Sequence, residues 1–266
     1  MFADYGITIS NSYWEISYRN NTINSNTTLS IYYRKPTFPD TSDFAPEYRR
    51  IINSDILAII DGLANSFSGV VLTKPYLLRQ AENKIFQLIY AKSHSILMPK
   101  SFIGNNDYWK CINDQRIIKP ISVGKIETSS GIAIIQTNLM HENDSYDSPE
   151  LTPVYIQEYI KKSFEVRITV VDDDFFAVKI VSDNMIDWRA GNNNQYEIID
   201  IPIEIKKYIK MMMKDFQLRF GAIDYIVDVD GKWYFLEINP NGQWQWLECI
   251  LGLSISDSIM NMLLGG

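Results

Sequence analysis

Histidine and cysteine are scarce in this chain, which has only two of each among its 266 residues. His94 and His141 alone give little material for a Ser-His-Asp triad or a histidine-rich zinc site. Cys111 and Cys249 do not make a disulfide framework, and so low a cysteine content fits a reducing compartment. We therefore expect a cytoplasmic protein whose chemistry depends on other side chains.

Long apolar runs and an excess of basic residues are also missing. No stretch approaches the roughly 18 apolar residues of a membrane span, and the amino terminus lacks the basic start and apolar run of a signal peptide. The 25 basic and 32 acidic residues give a net charge of −7, which offers no general attraction to a nucleic acid backbone. We therefore expect neither a membrane nor a nucleic acid as partner. A binding site for a small polyanion would have to be built locally, from a few lysine or arginine side chains and a divalent cation.

The chain does have a globular composition, with 46% apolar and 21% charged residues, and it contains both helical and strand patterns. Because these patterns do not alternate regularly, they favour an α+β fold over a doubly wound sheet. Strand patterns occupy about the first thirty residues and most of the chain after residue 100. Helices are predicted at 47–63, 75–93, 204–216 and 254–264, and the later strands at 116–119, 131–137, 154–159, 165–171, 175–181, 222–229 and 233–238.

The most specific pattern is a pair of strand-like runs on either side of Asp230-Gly231, a preferred sequence for a two-residue type I′ turn. With that turn as the centre, Asp224 faces Glu237, and Asn239 lies two residues further along the same face. Like charges directly opposite each other destabilise a sheet, and a cation between them removes the repulsion. Two carboxylates and an amide oxygen suit Mg²⁺, so the pattern predicts a magnesium site. The alternative is that both acids are solvated surface residues.

A second hairpin pattern, at 164–180, carries cations. Its apolar residues are expected to share one buried face, which favours a three-residue loop over 172–174. In that register Arg167 faces Lys179, and a phosphate or acyl phosphate between them would relieve the repulsion. The alternative is that each cation pairs with a nearby acid such as Glu165 or Asp187.

Lys119 ends a predicted strand and precedes a run that contains Gly124 and Gly131. A lysine that leaves an apolar strand for a glycine-containing loop is a candidate phosphate ligand, although most such lysines only reach solvent. The loop does not match the P-loop pattern G-x-x-x-x-G-K-[ST], and a Rossmann fingerprint is absent.

The run 220–244, FGAIDYIVDVDGKWYFLEINPNGQW, resembles the carboxy-terminal half of ATP-grasp ligases. More narrowly, it is similar to the branch that installs ester and amide rings in graspetide precursor peptides, a microviridin-type RiPP pathway. The similarity covers roughly residues 75–250. Supporting matches are Ile118-Lys119-Pro120, Gln157-Glu158-Tyr159-Ile160, Glu165-Val166-Arg167, Ala177-Val178-Lys179 and Asp187-Trp188-Arg189.

The resemblance implies an ATP-grasp fold, in which two α+β subdomains grip ATP between antiparallel sheets, with ATP and Mg²⁺ as cofactors. It also implies three sets of side chains: metal ligands, nucleotide contacts and cations around the transferred phosphoryl group. Within the nucleotide set, 157–160 lines the adenine slot and Glu165 holds the ribose. The metal ligands are Asp224, Glu237 and Asn239; the nucleotide contacts are Lys84, Lys119, Gln157, Glu158, Tyr159, Ile160 and Glu165; the catalytic cations are Arg167, Lys179 and Arg189.

The resemblance further implies a small pre-ATP-grasp domain at 1–97 and an ATP-grasp domain at 98–266. Arg34, within Tyr33-Arg34-Lys35-Pro36, matches a basic motif common in the preceding domain. Such enzymes usually begin with a βαβ element, and this chain starts after it. We therefore expect a truncated first domain that lacks the usual first strand and helix.

Three functions are compatible with the sequence. In the first, the enzyme activates a carboxylate of a ribosomally made precursor peptide, recognised with its leader, as an acyl phosphate and closes a lactone or lactam. In the second, a similar ATP site adds amino acids to a peptide or protein, as ribosomal-protein glutamate ligases do. In the third, the chain is an inactive peptide-binding module. Because related enzymes are often dimers, the resemblance also implies a homodimer.

Overall fold

The computed structural model describes residues 5–105, 115–122, 125–128, 131–134, 137–140 and 153–265. The predicted loop position Gly124 lies outside these ranges. No helix within them is long and apolar enough to cross a membrane.

The first part of the chain forms a small antiparallel sheet and a long helix. Strands β1 (Tyr5–Ile9), β2 (Trp14–Tyr18) and β3 (Asn21–Asn24) pair in sequence order. Strand β4 (Ser30–Tyr32) and helix α1 (Pro46–Ser66) follow, and β4 pairs in parallel with β5 (Val70–Leu72). The predicted early strands and the first predicted helix are confirmed.

Two helices, α2 (Pro75–Ala81) and α3 (Lys84–Ser93), replace the single helix predicted at 75–93. The helix is interrupted before Asn83, whose side-chain oxygen accepts a hydrogen bond from Phe86 N at 3.1 Å. This N-cap satisfies a free backbone donor at the start of α3. The apolar spacing continues through the break, so the pattern alone did not reveal it. As a consequence, Lys84 occupies the first turn of a helix.

The middle of the chain builds a four-stranded antiparallel sheet in the order β10-β7-β11-β6. A separate hairpin joins β8 and β9. The strands are β6 (Ser101–Gly104), β7 (Arg116–Lys119), β8 (Lys125–Thr128), β9 (Gly131–Ile134), β10 (Asn138–Met140) and β11 (Val154–Glu158).

A five-stranded antiparallel sheet in the order β14-β13-β12-β15-β16 dominates the rest of the chain. One helix, α4, covers one face, and α5 and α6 cover part of the opposite face, so the central strands are buried on both sides. The elements are β12 (Lys162–Val171), β13 (Asp174–Val181), β14 (Gln195–Ile198), α4 (Ile203–Asp215), β15 (Phe220–Asp228), β16 (Trp233–Asn239), α5 (Gln245–Leu251) and α6 (Ile255–Leu264), with a 3-10 turn at Trp188–Ala190.

The acidic hairpin, β15–β16, places Asp224 opposite Glu237 as predicted, but by a different route. Asp228 N donates to Lys232 O at 3.1 Å, so three residues form the loop, and Gly231 in it adopts a φ of 79°. The predicted two-residue type I′ turn is therefore wrong. A bulge directly after the facing acids adds one residue to β16 and restores the opposition.

The cationic hairpin, β12–β13, has a two-residue turn at 172–173 rather than the predicted three-residue loop. Arg167 therefore pairs with Val178, and Lys179 pairs with Val166. The expected facing of the two cations is wrong, because the apolar residues of these strands do not share one buried face. They contact α4 on one side of the sheet and α6 on the other, so burial did not fix the register.

Helix α3 packs against the core of the five-stranded sheet. The rings of Phe86 and Tyr90 each lie 4.8 Å, centroid to centroid, from the ring of Phe216 at the end of α4. The division of the chain at residues 97 and 98 stays a prediction.

Candidate active site

One face of the five-stranded sheet carries four of the charged residues that were predicted to act together. Arg167 pairs across the strands with Asp224, which in turn pairs with Glu237. Glu165 and Asn239 lie two residues from Arg167 and Glu237 along their own strands and so share the same face. We call this surface, defined by these five residues, the site face.

Arg167 and Asp224 form the central ion pair of the site face. Arg167 Nη1 donates to Asp224 Oδ1 at 2.8 Å and to Oδ2 at 2.6 Å, and the two side chains are 11% and 16% exposed. Burial raises the pKa of Asp224 above its ordinary value although Arg167 opposes the shift. Arg167 Nε is buried and has no hydrogen-bond partner among the described residues. A desolvated donor of this kind would gain from an anionic ligand.

Glu237 stands beside two lysines from other elements. Lys84 Nζ, on α3, lies 3.6 Å from Glu237 Oε2 and donates to Pro120 O at 3.0 Å. Burial raises the pKa of Glu237, but the charges of Lys84 and Lys119, followed by Arg189, outweigh burial and hold the pKa below its ordinary value. Glu237 is therefore ionised at neutral pH.

Lys119 ends β7, as the sequence predicted, and its ammonium group contacts side chains of the neighbouring strand β11. Its Nζ donates to Gln157 Oε1 at 2.8 Å and lies 4.8 Å from the ring centroid of Tyr155. Gln157 is 1% exposed, and its Nε2 donates to Tyr155 OH and Ser101 Oγ, both at 2.9 Å. Burial lowers the pKa of Lys119 to about 8, although Glu237 opposes the shift. An anion would stabilise so desolvated a cation.

The segment Glu158, Tyr159 and Ile160 leads from β11 towards β12 and so joins the two large sheets. Glu158 N donates to Lys100 O at 2.8 Å, and Tyr159 N donates to Gln115 O at 2.8 Å. These backbone bonds fix the connection between the sheets. Its role in an adenine slot stays a prediction.

Glu165 lies on the site face, but other protein groups engage its carboxylate. It accepts hydrogen bonds from Lys162 Nζ at 2.5 Å and from Trp188 N at 3.3 Å, and it is 8% exposed. Burial raises the pKa of Glu165, and Lys162 opposes that shift. These contacts anchor the segment before Arg189, and the ribose contact predicted for Glu165 stays a prediction.

Arg189 is held in place by Asp187, two residues earlier in the chain. Its Nε and Nη2 donate to the two carboxylate oxygens of Asp187 at 2.8 and 2.9 Å, and Asp187 also accepts from Arg189 N at 3.0 Å. Asp187 raises the pKa of Arg189, and Asp224 and Glu237 raise it further. Asp187 thus orients the guanidinium group. The Arg189 side chain is 63% exposed, and its charge interacts with those of Asp224 and Glu237.

Lys179 does not lie on the site face. Its Nζ pairs with Glu197 at 2.9 Å and lies 5.2 Å from the ring centroid of Phe164, on the side of the sheet that α4 covers. The structure therefore separates Lys179 from Arg167, with which it was expected to act.

The loop after β16 connects the site face to the amino-terminal segment, a link that the sequence reasoning missed. Asn239 Oδ1 accepts from Asn241 N at 3.1 Å, and Asn241 Nδ2 donates to Arg34 O at 2.7 Å. At Gly242, a Cβ atom would lie 2.9 Å from Arg167 Nη2. The Asn-Pro-Asn-Gly composition signals a turn, but nothing in it indicates the contact with Arg34.

The donor set of the site face fits a hard divalent cation. Asp224 and Glu237 supply carboxylate oxygens, and the amide oxygen of Asn239 has a second lone pair beyond the one that Asn241 N uses. Over the described ranges, no group of three His, Cys, Asp or Glu side chains could hold a metal ion. A bound ion would therefore depend on ligands from outside the protein as well, as Mg²⁺ does at phosphate sites.

Comparison with protein-family models matches residues 81–263 to the RimK-like ATP-grasp domain. The chain belongs to the RimK-like ATP-grasp family. It is an ATP-grasp ligase, a class of enzyme that uses ATP and Mg²⁺, and the resemblance noted in the run 220–244 is confirmed. A search of curated proteins gave no match.

Solved structures share this α+β ATP-grasp fold over nearly the whole chain. The macrocyclase MdnC of Microcystis aeruginosa MRC, solved with its precursor peptide MdnA, is 25% identical with a TM-score of 0.86, covering 99% of this chain and 87% of its own. A RiPP-associated ATP-grasp ligase of Chryseobacterium gregarium, solved with ADP and a leader and core peptide, is 23% identical with a TM-score of 0.86, covering 97% and 84%. The macrocyclase MdnB of M. aeruginosa MRC is 21% identical with a TM-score of 0.77, covering 99% and 86%.

Proposed function

We propose that this ATP-grasp ligase forms side-chain ester or amide cross-links in a ribosomally made precursor peptide that it recognises with its leader. The observation that carries the proposal is the opposition of Asp224 and Glu237 on a face that also bears Arg167. The likeness to MdnC, which was solved with a precursor peptide, and to the C. gregarium ligase, solved with leader and core peptide, supports the choice of substrate.

The proposal assigns the site residues to three tasks. Asp224, Glu237 and Asn239 would hold Mg²⁺, which when bound supplies positive charge against the phosphates. Arg167 and Arg189 would stabilise negative charge on the transferred phosphoryl group. The nucleotide contacts would be Lys84, Lys119, Gln157, Glu158, Tyr159, Ile160 and Glu165.

The reaction has two steps. An oxygen of a peptide Asp or Glu carboxylate attacks the γ-phosphorus of ATP, the bond to the β-phosphate oxygen breaks, and an acyl phosphate and ADP form. A Ser or Thr hydroxyl, or a Lys amine, of the same peptide then attacks the acyl carbon. The nucleophile loses its proton, inorganic phosphate leaves, and a ring closes. Arg167 and its neighbours orient the reactants, because phosphoryl transfer is mostly positioning and electrostatics.

The test is incubation of the purified protein with ATP, Mg²⁺ and the short peptide encoded next to its gene, followed by mass spectrometry. We expect the peptide to lose the mass of one water for each ring, and only when ATP is present. The variant Asp224→Asn/Glu237→Gln serves as the matched inactive control. An unchanged peptide with no ADP produced would contradict the proposal.

The second candidate is a ligase that adds amino acids to a peptide or protein. The match to the RimK-like ATP-grasp domain supports this candidate. The same experiment separates the two candidates, because addition raises the mass by an amino-acid residue. An inactive peptide-binding module would show no thermal shift with ADP and Mg²⁺.

We also propose a cytoplasmic location and a homodimer, with the division into 1–97 and 98–266. Size-exclusion chromatography with light scattering tests the oligomer, and limited proteolysis tests the boundary.

A further inference from the structure

Gln87, on α3, makes a pair of hydrogen bonds to the backbone of a single residue of β16. Its Nε2 donates to Ile238 O at 2.8 Å, and its Oε1 accepts from Ile238 N at 3.0 Å. The same Nε2 donates to Ala81 O at 2.6 Å, and Gln87 is only 3% exposed. The side-chain amide thus occupies the place that a neighbouring strand would take.

Ile238 lies between two of the residues assigned to the metal. Its side chain, 2% exposed, packs into the core on the α4 side of the sheet. Because strand side chains alternate, those of Glu237 and Asn239 project to the site face. Strand β16 is the edge of its sheet, so the outward N–H and C=O of Ile238 would have no strand partner. Gln87 supplies both missing bonds.

We propose that Gln87 is a positioning residue for the magnesium site: by fixing the backbone of Ile238, it sets the spacing and direction of Glu237 and Asn239. This inference rests on the metal assignment in the proposed function. Gln87 touches neither ligand side chain and acts through the peptide groups between them. Changing an outer group that orients metal ligands typically lowers metal affinity or activity by about 10–100-fold.

The same helix also delivers a charge to the site. Lys84 lies three residues before Gln87 on α3, and its Nζ approaches Glu237 Oε2 to 3.6 Å. Residues three apart lie on one side of a helix. Helix α3 therefore contributes both a cation within 3.6 Å of Glu237 and the amide that holds the strand behind it.

The test compares Mg²⁺ affinity between wild type and Gln87→Met, titrating Mg²⁺ into the full chain at saturating ADP by calorimetry. We expect Mg²⁺ to bind about 10–100-fold more weakly to the variant, while ADP affinity without metal stays unchanged. Tyr90→Phe is the matched control on the same helix, because it removes only the bond from Tyr90 OH to Asp215 Oδ2. Gln87→Asn, which keeps a neutral amide but shortens its reach to Ile238, replaces the Met variant if that variant does not fold.

The outcomes are distinguishable. If wild type binds Mg²⁺ and the folded Gln87 variant binds it equally well, or weakens no more than Tyr90→Phe does, the inference is wrong. If wild type itself shows no ADP-dependent Mg²⁺ binding, the failure belongs to the proposed function. A variant that loses thermal stability alone, with Mg²⁺ affinity intact, has lost only a structural bond.

Discussion

Each of the two hairpins of the five-stranded sheet carries a pair of like charges, but only one hairpin places its pair on a single face. In β15–β16 two acids face each other on the site face, whereas in β12–β13 a difference of one residue places Arg167 on that face and Lys179 on the other. Because strand side chains alternate, a one-residue shift moves a whole set of residues across the sheet. Sharing a hairpin therefore does not make two charges part of one site.

The acidic hairpin gives the largest expected effect. The double change Asp224→Asn/Glu237→Gln should lower ADP formation by at least about 100-fold, since even outer partners of a metal ligand affect a site by up to that factor. Steady-state ADP release in the presence of the peptide measures it. Glu197→Gln, which removes the acid paired with Lys179, is the control and should stay close to wild type.

The cationic hairpin allows the sharpest test of register. Arg167→Met should lower kcat by about 100- to 1000-fold, the usual cost of removing a group that stabilises transition-state charge. Lys179→Met, on the opposite face, should remain within about twofold of wild type, as for a partly exposed ion pair. Equal losses in the two variants would mean that the faces do not divide the chemistry.

Gly242 links the two hairpins. A Cβ atom there would lie 2.5 Å from Ala222 Cβ and 2.9 Å from Arg167 Nη2, so Gly242→Ala must displace Arg167 or the loop that begins at Asn239. A shift of about 1 Å in a catalytic group can cost up to about 100-fold in rate, and we expect a loss near tenfold. A kcat equal to that of wild type, with thermal stability retained, would show that the loop can move without consequence.

Gly231, in the turn of the acidic hairpin, should give the smallest effect. Its φ of 79° strains any residue with a Cβ atom, while the surrounding space is open. Gly231→Ala should lower the free energy of unfolding by about 1 kcal/mol and leave Mg²⁺ affinity unchanged. Chemical denaturation measures the first quantity. A large loss of metal affinity would mean that the turn, and not the bulge beside Glu237, sets the register of the acids.

The sequence predicted what depends on local pattern. Periodicity indicated the long strands and helices. The facing of Asp224 and Glu237 was predicted by counting from a two-residue turn, and it holds because the bulge in β16 offsets the extra residue of the loop. The predicted register of the cationic hairpin was wrong because both faces of β12 are buried. Its apolar residues therefore do not indicate which face of the sheet a given side chain lies on. Gln87 lies 151 residues from Ile238 in the chain, and Arg34 lies 207 residues from Asn241. Such contacts arise only when distant elements pack, and no local pattern encodes them.

The most direct test of the central claim is anomalous diffraction from crystals grown with ADP and Mn²⁺ in place of Mg²⁺. The account predicts a manganese peak within coordination distance of Asp224, Glu237 and Asn239, with a phosphate oxygen among its ligands. A nucleotide bound with its manganese away from these three side chains would contradict it.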